Sequence, residues 1–185
     1  KLDKFPIEDH RKLAKYCKEK RIEYLATPFD EKAVDFLETI DVSAYKIASC
    51  DCTNIPFIKI IASTQKTIIL STGASTIGEI EQAVNAIEGV GNSNIILLHC
   101  ILTYPTDPKD ANLKMISTLK LLFPKYVIGF SDHTLGTAVA IASVAFGAEV
   151  IEKHYTVDKT LQLSADHWLS VDPKELKELV EGAAK

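Results

Sequence analysis

Val127-Ile128-Gly129-Phe130-Ser131-Asp132-His133-Thr134 and its echo, Glu149-Val150-Ile151-Glu152-Lys153-His154, decide the architecture. Each is a short apolar run that reads as a buried strand and stops abruptly in polar, ionisable residues. Residues 137–146 between them are Ala-rich and helical in pattern. A strand, helix, strand unit places its two strands parallel and adjacent. His133 and His154 then stand at the same end of neighbouring strands, close enough to hold one divalent metal ion. The carboxyl ends of parallel strands are where α/β folds build their sites. A lone His at a strand end is more often a hydrogen-bonded structural residue. Two at equivalent strand ends, each beside a carboxylate, keep the metal reading open alongside the structural one.

Working outward, the same unit recurs. Strands are expected at residues 22–26, 44–48, 67–70 and 94–98, besides the two above. Helices are expected at 2–20, 31–39, 55–62, 76–88, 113–123, 137–146 and 173–184. Asp30, Ser75 or Thr76, and Asp172 read as N-caps, with Glu79 placed for a capping box. Six strands alternating with helices imply a parallel α/β fold, either a barrel or a doubly wound sheet. Polar residues recur at the strand ends: Thr27, Ser49, Ser71, His99, Ser131, His154. An open sheet gathers only some of these at its switch point, whereas a barrel brings all of them to one mouth. The expected fold is therefore a (β/α)8 barrel, here an incomplete portion of about six βα units, in one domain spanning residues 1–185. The chain has 185 residues, whereas a whole barrel takes about 250. About two βα units are expected upstream.

Composition narrows the function. The net charge is −4 with no basic stripe, which argues against nucleic acid as a partner. No apolar run approaches the roughly 20 residues of a membrane span. There is no signal-peptide pattern, and Cys17, Cys50, Cys52 and Cys100 read as reduced thiols of a cytoplasmic enzyme. Cys50 and Cys52 have no further ligands spaced for zinc. No strand leads into G-x-G-x-x-G or a Walker A sequence, so nucleotide-binding folds lose ground. Lys46 is informative, because an unpaired ammonium inside an apolar strand is costly; it should face a ligand or a carboxylate. Lys46 with the hydroxyls of Thr27, Ser49, Ser71 and Ser131 makes an anion site suited to phosphate. Taken singly, each hydroxyl reads as a loop cap. Phosphate beside metal, without a nucleotide fold, leaves aldolases, isomerases and phosphoenolpyruvate-using synthases.

At this point the sequence resembles the sialic acid synthase family, the phosphoenolpyruvate-dependent N-acetylneuraminate synthases with their legionaminate, pseudaminate and spore-coat relatives. The residues that carry the resemblance are Ala26-Thr27-Pro28-Phe29, Tyr45-Lys46-Ile47-Ala48-Ser49, Ile69-Leu70-Ser71-Thr72-Gly73, Leu97-Leu98-His99-Cys100 with Tyr104-Pro105-Thr106, Gly129 to Thr134, and Ile151-Glu152-Lys153-His154-Tyr155-Thr156. The resemblance implies condensation of phosphoenolpyruvate with an N-acetylated amino sugar such as N-acetylmannosamine, giving a nine-carbon 2-keto sugar acid and phosphate. It implies manganese or magnesium on His133 and His154, and phosphate on Thr27, Lys46, Ser49, Ser71 and Ser131. It assigns Glu152 and Asp166 to water or sugar hydroxyls, and Tyr104 to the sugar. It also implies a small C-terminal antifreeze-like domain and a homodimer in the full-length protein, neither contained in these residues, so this segment alone is expected to condense no substrate. The sequence departs from the family at Ile101-Leu102-Thr103, where relatives often carry Asn, and at Ser164-Ala165-Asp166, where Gly-Pro-Asp is usual. The alternatives are another metal-dependent barrel aldolase or 3-deoxy-keto acid synthase, and a truncated, non-catalytic, anion-binding remnant.

Overall fold

A computed structural model of the chain describes residues 5–162 and 166–184. Within them the chain alternates helices and parallel strands: α1 (Ile7–Lys20), α2 (Glu31–Thr39), β1 (Ala44–Ile47), α3 (Ile55–Ala62), β2 (Thr67–Ser71), α4 (Ile77–Glu88), β3 (Ile95–Cys100), α5 (Lys114–Leu122), β4 (Val127–Asp132), α6 (Ala138–Ala145), β5 (Ile151–Lys153) and α7 (Pro173–Ala183). The strands form one parallel sheet in the order β1-β2-β3-β4-β5. Strands in sequential order joined by helices describe an incomplete (β/α) barrel.

Local chemistry sets the helix ends. Asp30 accepts from the backbone N–H of Ala33 at 2.7 Å and starts α2. Thr76 and Glu79 close a full capping box on α4, and Asp172 with Glu175 does the same for α7, whose first turn holds Pro173. Such caps satisfy orphan N–H groups, each contributing about 1 kcal/mol.

Side chains alternate across the sheet, and register fixes which residues share a face. Lys46 lies opposite Ile69, Leu98 opposite Gly129, Cys100 opposite Ser131, and Ser131 opposite Glu152. These residues, with Ser71, line the concave face. The other face carries Tyr45, Ile47, Ile68, Leu70, Leu97, Ile128 and Phe130, all buried. They pack against Ile58 and Ile61 of α3, Ile80 and Ile87 of α4, and Ile116 and Leu119 of α5. Burial of each such side chain is worth about 1.5–3 kcal/mol, so the apolar core lies under the helices and leaves the concave face free for polar groups. Gly129 is required there: a Cβ at this position would sit 2.4 Å from the Val150 carbonyl oxygen and 2.6 Å from Leu98 Cδ2.

One expected strand is absent. Residues 22–26 carry no strand assignment, and no backbone ladder bond ties them to β1. Ile22 is 60% exposed and Leu25 40%. The segment is held by side chains instead: Glu23 accepts from Ser43 Oγ at 2.8 Å, and the Tyr24 hydroxyl meets His10 Nδ1 at 2.6 Å. β-rich composition makes a strand only where a neighbour completes the pairing. Among the described residues five strands therefore stand where six were expected. His10 is half-buried and packs edge-on against Phe36. The N-terminal end of the helix expected at 2–20 falls partly outside the described residues. All four cysteines are free thiols.

Candidate functional site

The carboxyl ends of the strands enclose a cleft of about 200 Å³ lined by Lys46, Ser49, Ser71, Cys100, Tyr104, Ser131, His133 and Glu152, among others. Larger clefts, of about 270 to 480 Å³, lie elsewhere. None of them gathers as many of the expected groups, so chemistry rather than size picks out the site.

His133 and His154 stand together, with ring centroids 5.4 Å apart and planes tilted by 59°. His133 Nδ1 lies 2.6 Å from the Ile101 carbonyl oxygen. A carbonyl only accepts, so Nδ1 carries the proton and Nε2 keeps its lone pair. That is how a protein prepares an imidazole to ligate a metal. Burial, followed by the neighbouring His154, holds the His133 pKa below its ordinary value despite the Ile101 bond, which favours the neutral ring that a metal needs. Among the described residues no group of three or more His, Cys, Asp or Glu is gathered as a metal cage. The donors that stand together are two imidazoles, a set chemically suited to a transition-metal dication.

Tyr104 covers this pair. Its ring stacks on His133 at 3.9 Å and meets His154 edge-on at 5.6 Å. Its loop is pinned to β4 by Thr106, whose N–H donates to the His133 carbonyl at 2.9 Å. Burial, with the charges of Cys100, Asp166 and Glu152, pushes the Tyr104 pKa up to about 12. The phenol therefore stays protonated near neutrality, able to donate a hydrogen bond.

The anion cradle is assembled in part. Lys46, mostly shielded in β1, faces the Glu152 carboxylate at 3.5 Å, as its place in an apolar strand required. Ser131 Oγ donates to the other oxygen of Glu152 at 2.7 Å. Ser49 Oγ accepts from the Gly73 N–H at 3.0 Å and contacts Cys100 Sγ at 3.2 Å. Ser71 Oγ is the one buried side-chain polar atom among the described residues with no hydrogen-bond partner. An orphaned hydroxyl in a cleft is an invitation to a ligand. Thr27 is not brought in: it lies on the unpaired segment and does not line the cleft. Asp166 does not line it either, although its charge is felt at Tyr104. The Ser164-Ala165 that precede it lie outside the described residues.

Two residues read differently from the sequence. His99 is on the helix side of the sheet, not beside the cleft; its ring stacks on Phe130 at 5.6 Å, and Nε2 donates to the Ala111 carbonyl at 2.9 Å. Asp132, the carboxylate beside His133, also turns away from the cleft and meets Lys153 at 2.7 Å, the two side chains 0% and 3% exposed. Strand alternation carried both signals, since Cys100 and His133 take the concave face and their neighbours cannot.

The model of the NeuB family matches residues 1–185. The N,N'-diacetyllegionaminic acid synthase of Campylobacter jejuni is 44% identical over 175 residues, covering 94% of this chain and 52% of that protein. A crystal structure of N-acetylneuraminic acid (sialic acid) synthetase from Leptospira borgpetersenii, in complex with citrate, superimposes with a TM-score of 0.93 at 42% identity, covering 97% of this chain and 62% of that one. Phospho-2-dehydro-3-deoxyheptonate aldolase of Thermotoga maritima matches at a TM-score of 0.81 with 18% identity over 96% of this chain and 54% of that one, a likeness of fold alone. The chain spans about half the length of the curated relatives it matches. By its family match, its relatives and its barrel geometry, the chain belongs to the NeuB family.

Proposed function

We propose that this chain forms the catalytic-face portion of a synthase that condenses phosphoenolpyruvate with an N-acetylated amino sugar, releasing phosphate and a nine-carbon 2-keto sugar acid. The observation that carries the reading is the pairing of His154 with His133, which lines the same cleft as a shielded lysine and an orphaned serine hydroxyl. Family membership supports the reaction class.

In this reading Lys46, Ser71 and Ser131 receive the phosphate of phosphoenolpyruvate and fix its position. A divalent cation held by His133 and His154 would polarise the sugar's aldehyde oxygen. Two imidazoles favour manganese over magnesium, which prefers an all-oxygen shell. Tyr104 walls the acceptor side and donates a hydrogen bond to a sugar oxygen. The carbon–carbon bond forms between C3 of phosphoenolpyruvate and the aldehyde carbon. Water then adds at C2, and phosphate departs with the bridging oxygen. Asp166 would handle the water or a sugar hydroxyl, a role supported by its charge acting on Tyr104 and not by a place in the cleft lining. The 185-residue segment alone is expected to show no turnover, because five strands leave the mouth of a barrel open.

The test is phosphate release by the full-length protein from phosphoenolpyruvate carrying ¹⁸O in the bridging position, with N-acetylmannosamine and manganese. Label appearing in phosphate supports the reading. Carbon–carbon bond formation or cleavage without phosphate release assigns an aldolase and overturns it.

A further inference from the structure

The groups assigned to phosphate are not idle. Glu152 Oε1 accepts from Ser131 Oγ at 2.7 Å, and Oε2 lies 3.5 Å from Lys46 Nζ. Two of the three phosphate groups are thus taken by a carboxylate of the protein itself, while the third, Ser71 Oγ, has no partner. A carboxylate and a phosphate offer the same thing to a lysine and a hydroxyl, namely anionic oxygens at hydrogen-bonding distance. Both cannot hold the same donors at once, and like charges a few ångströms apart repel strongly in a shielded cleft.

Glu152 has the freedom to leave. Its side chain is 42% exposed, whereas that of Lys46 is 13% exposed. It sits on β5, which is three residues long and the last strand of the sheet among the described residues. It also has a reason to stay when no anion is bound, because a shielded ammonium without a counter-charge is costly.

We propose that Glu152 is a built-in counter-anion that closes the phosphate cradle in the free protein and must swing off Lys46 and Ser131 for a phosphate to enter. It thereby lowers the affinity of the site for any oxyanion and selects for ligands that bring enough charge and further contacts to displace it. This rests on the reading that Lys46, Ser71 and Ser131 receive phosphate.

The experiment is calorimetric titration of inorganic phosphate into the metal-free full-length protein and its variants. Glu152→Gln, which removes the competing charge, is expected to bind phosphate about ten-fold tighter, and Glu152→Ala to do the same. Glu152→Asp, which keeps the charge, stays near the wild-type affinity. A gain in affinity is not something that a merely structural role would produce. If Lys46→Met and Ser71→Ala weaken binding while Glu152→Gln and Glu152→Ala bind no tighter than wild type, the counter-anion role is overturned and the phosphate reading stands. If Lys46→Met and Ser71→Ala leave phosphate binding unchanged, the phosphate reading itself is overturned.

Discussion

Asp132 and Lys153 form an ion pair at 2.7 Å on the side of the sheet away from the cleft, with neither side chain more than 3% exposed. Their bonds converge on Thr134: Asp132 accepts from its N–H at 2.9 Å and its hydroxyl at 3.1 Å, while Lys153 donates to its carbonyl at 2.5 Å. The chain on either side of His133 is thus clamped, and so is the strand that leads to His154. Removing one partner strands a buried charge. Lys153→Met is expected to destabilise the protein by about 3–5 kcal/mol, and the double change Asp132→Leu with Lys153→Met by clearly less. Urea denaturation of the three variants measures this. A single variant within about 0.5 kcal/mol of wild type would contradict it.

Gly129 offers a test of the packing above the cleft floor. A methyl group there meets the Val150 carbonyl at 2.4 Å, and backbone in a strand cannot move aside cheaply. Gly129→Ala is expected to cost about 1–3 kcal/mol, measured as a lower denaturation midpoint. An unchanged midpoint would show that β4 and β5 are not held as tightly as their register implies.

His99 predicts a pH dependence. Burial holds its pKa below the ordinary histidine value, outweighing its bond to Ala111. The unfolded chain therefore takes up a proton before the folded one does. Stability is full above the unfolded value, about 6.5, and falls as pH drops through the lower folded value. One such proton contributes a slope of at most about 1.4 kcal/mol per pH unit. His99→Gln, which can still donate to Ala111, should flatten the stability profile between pH 7 and 5. An unchanged slope would mean that His99 does not take part.

Much of this was legible in the sequence because it depends on near neighbours. Apolar runs ending in polar residues located all five strands of the described residues, and residue type alone gave the caps Asp30 and Asp172 and narrowed a third to Ser75 or Thr76, of which Thr76 caps α4. The strand, helix, strand order of β4, α6 and β5 was enough to bring His133 and His154 to the same end of neighbouring strands. Residues 22–26 misled because their composition is β-like, whereas a strand is made by its partner. The bridge from Glu152 to Ser131 and Lys46 could not be read, since it depends on register across five strands. His99 was misplaced for want of applying strand alternation one residue further.

The proposed metal ion would be held by two imidazoles from adjacent strand ends, His133 in the cleft and His154 beside it. Manganese binding to the full-length protein, followed by electron paramagnetic resonance of the free ion, tests it directly. The account predicts about one ion per chain for wild type, and affinity lowered by about 10–100-fold or more in His133→Ala and His154→Ala with circular dichroism unchanged. Variants that fold and bind manganese as wild type does would contradict it.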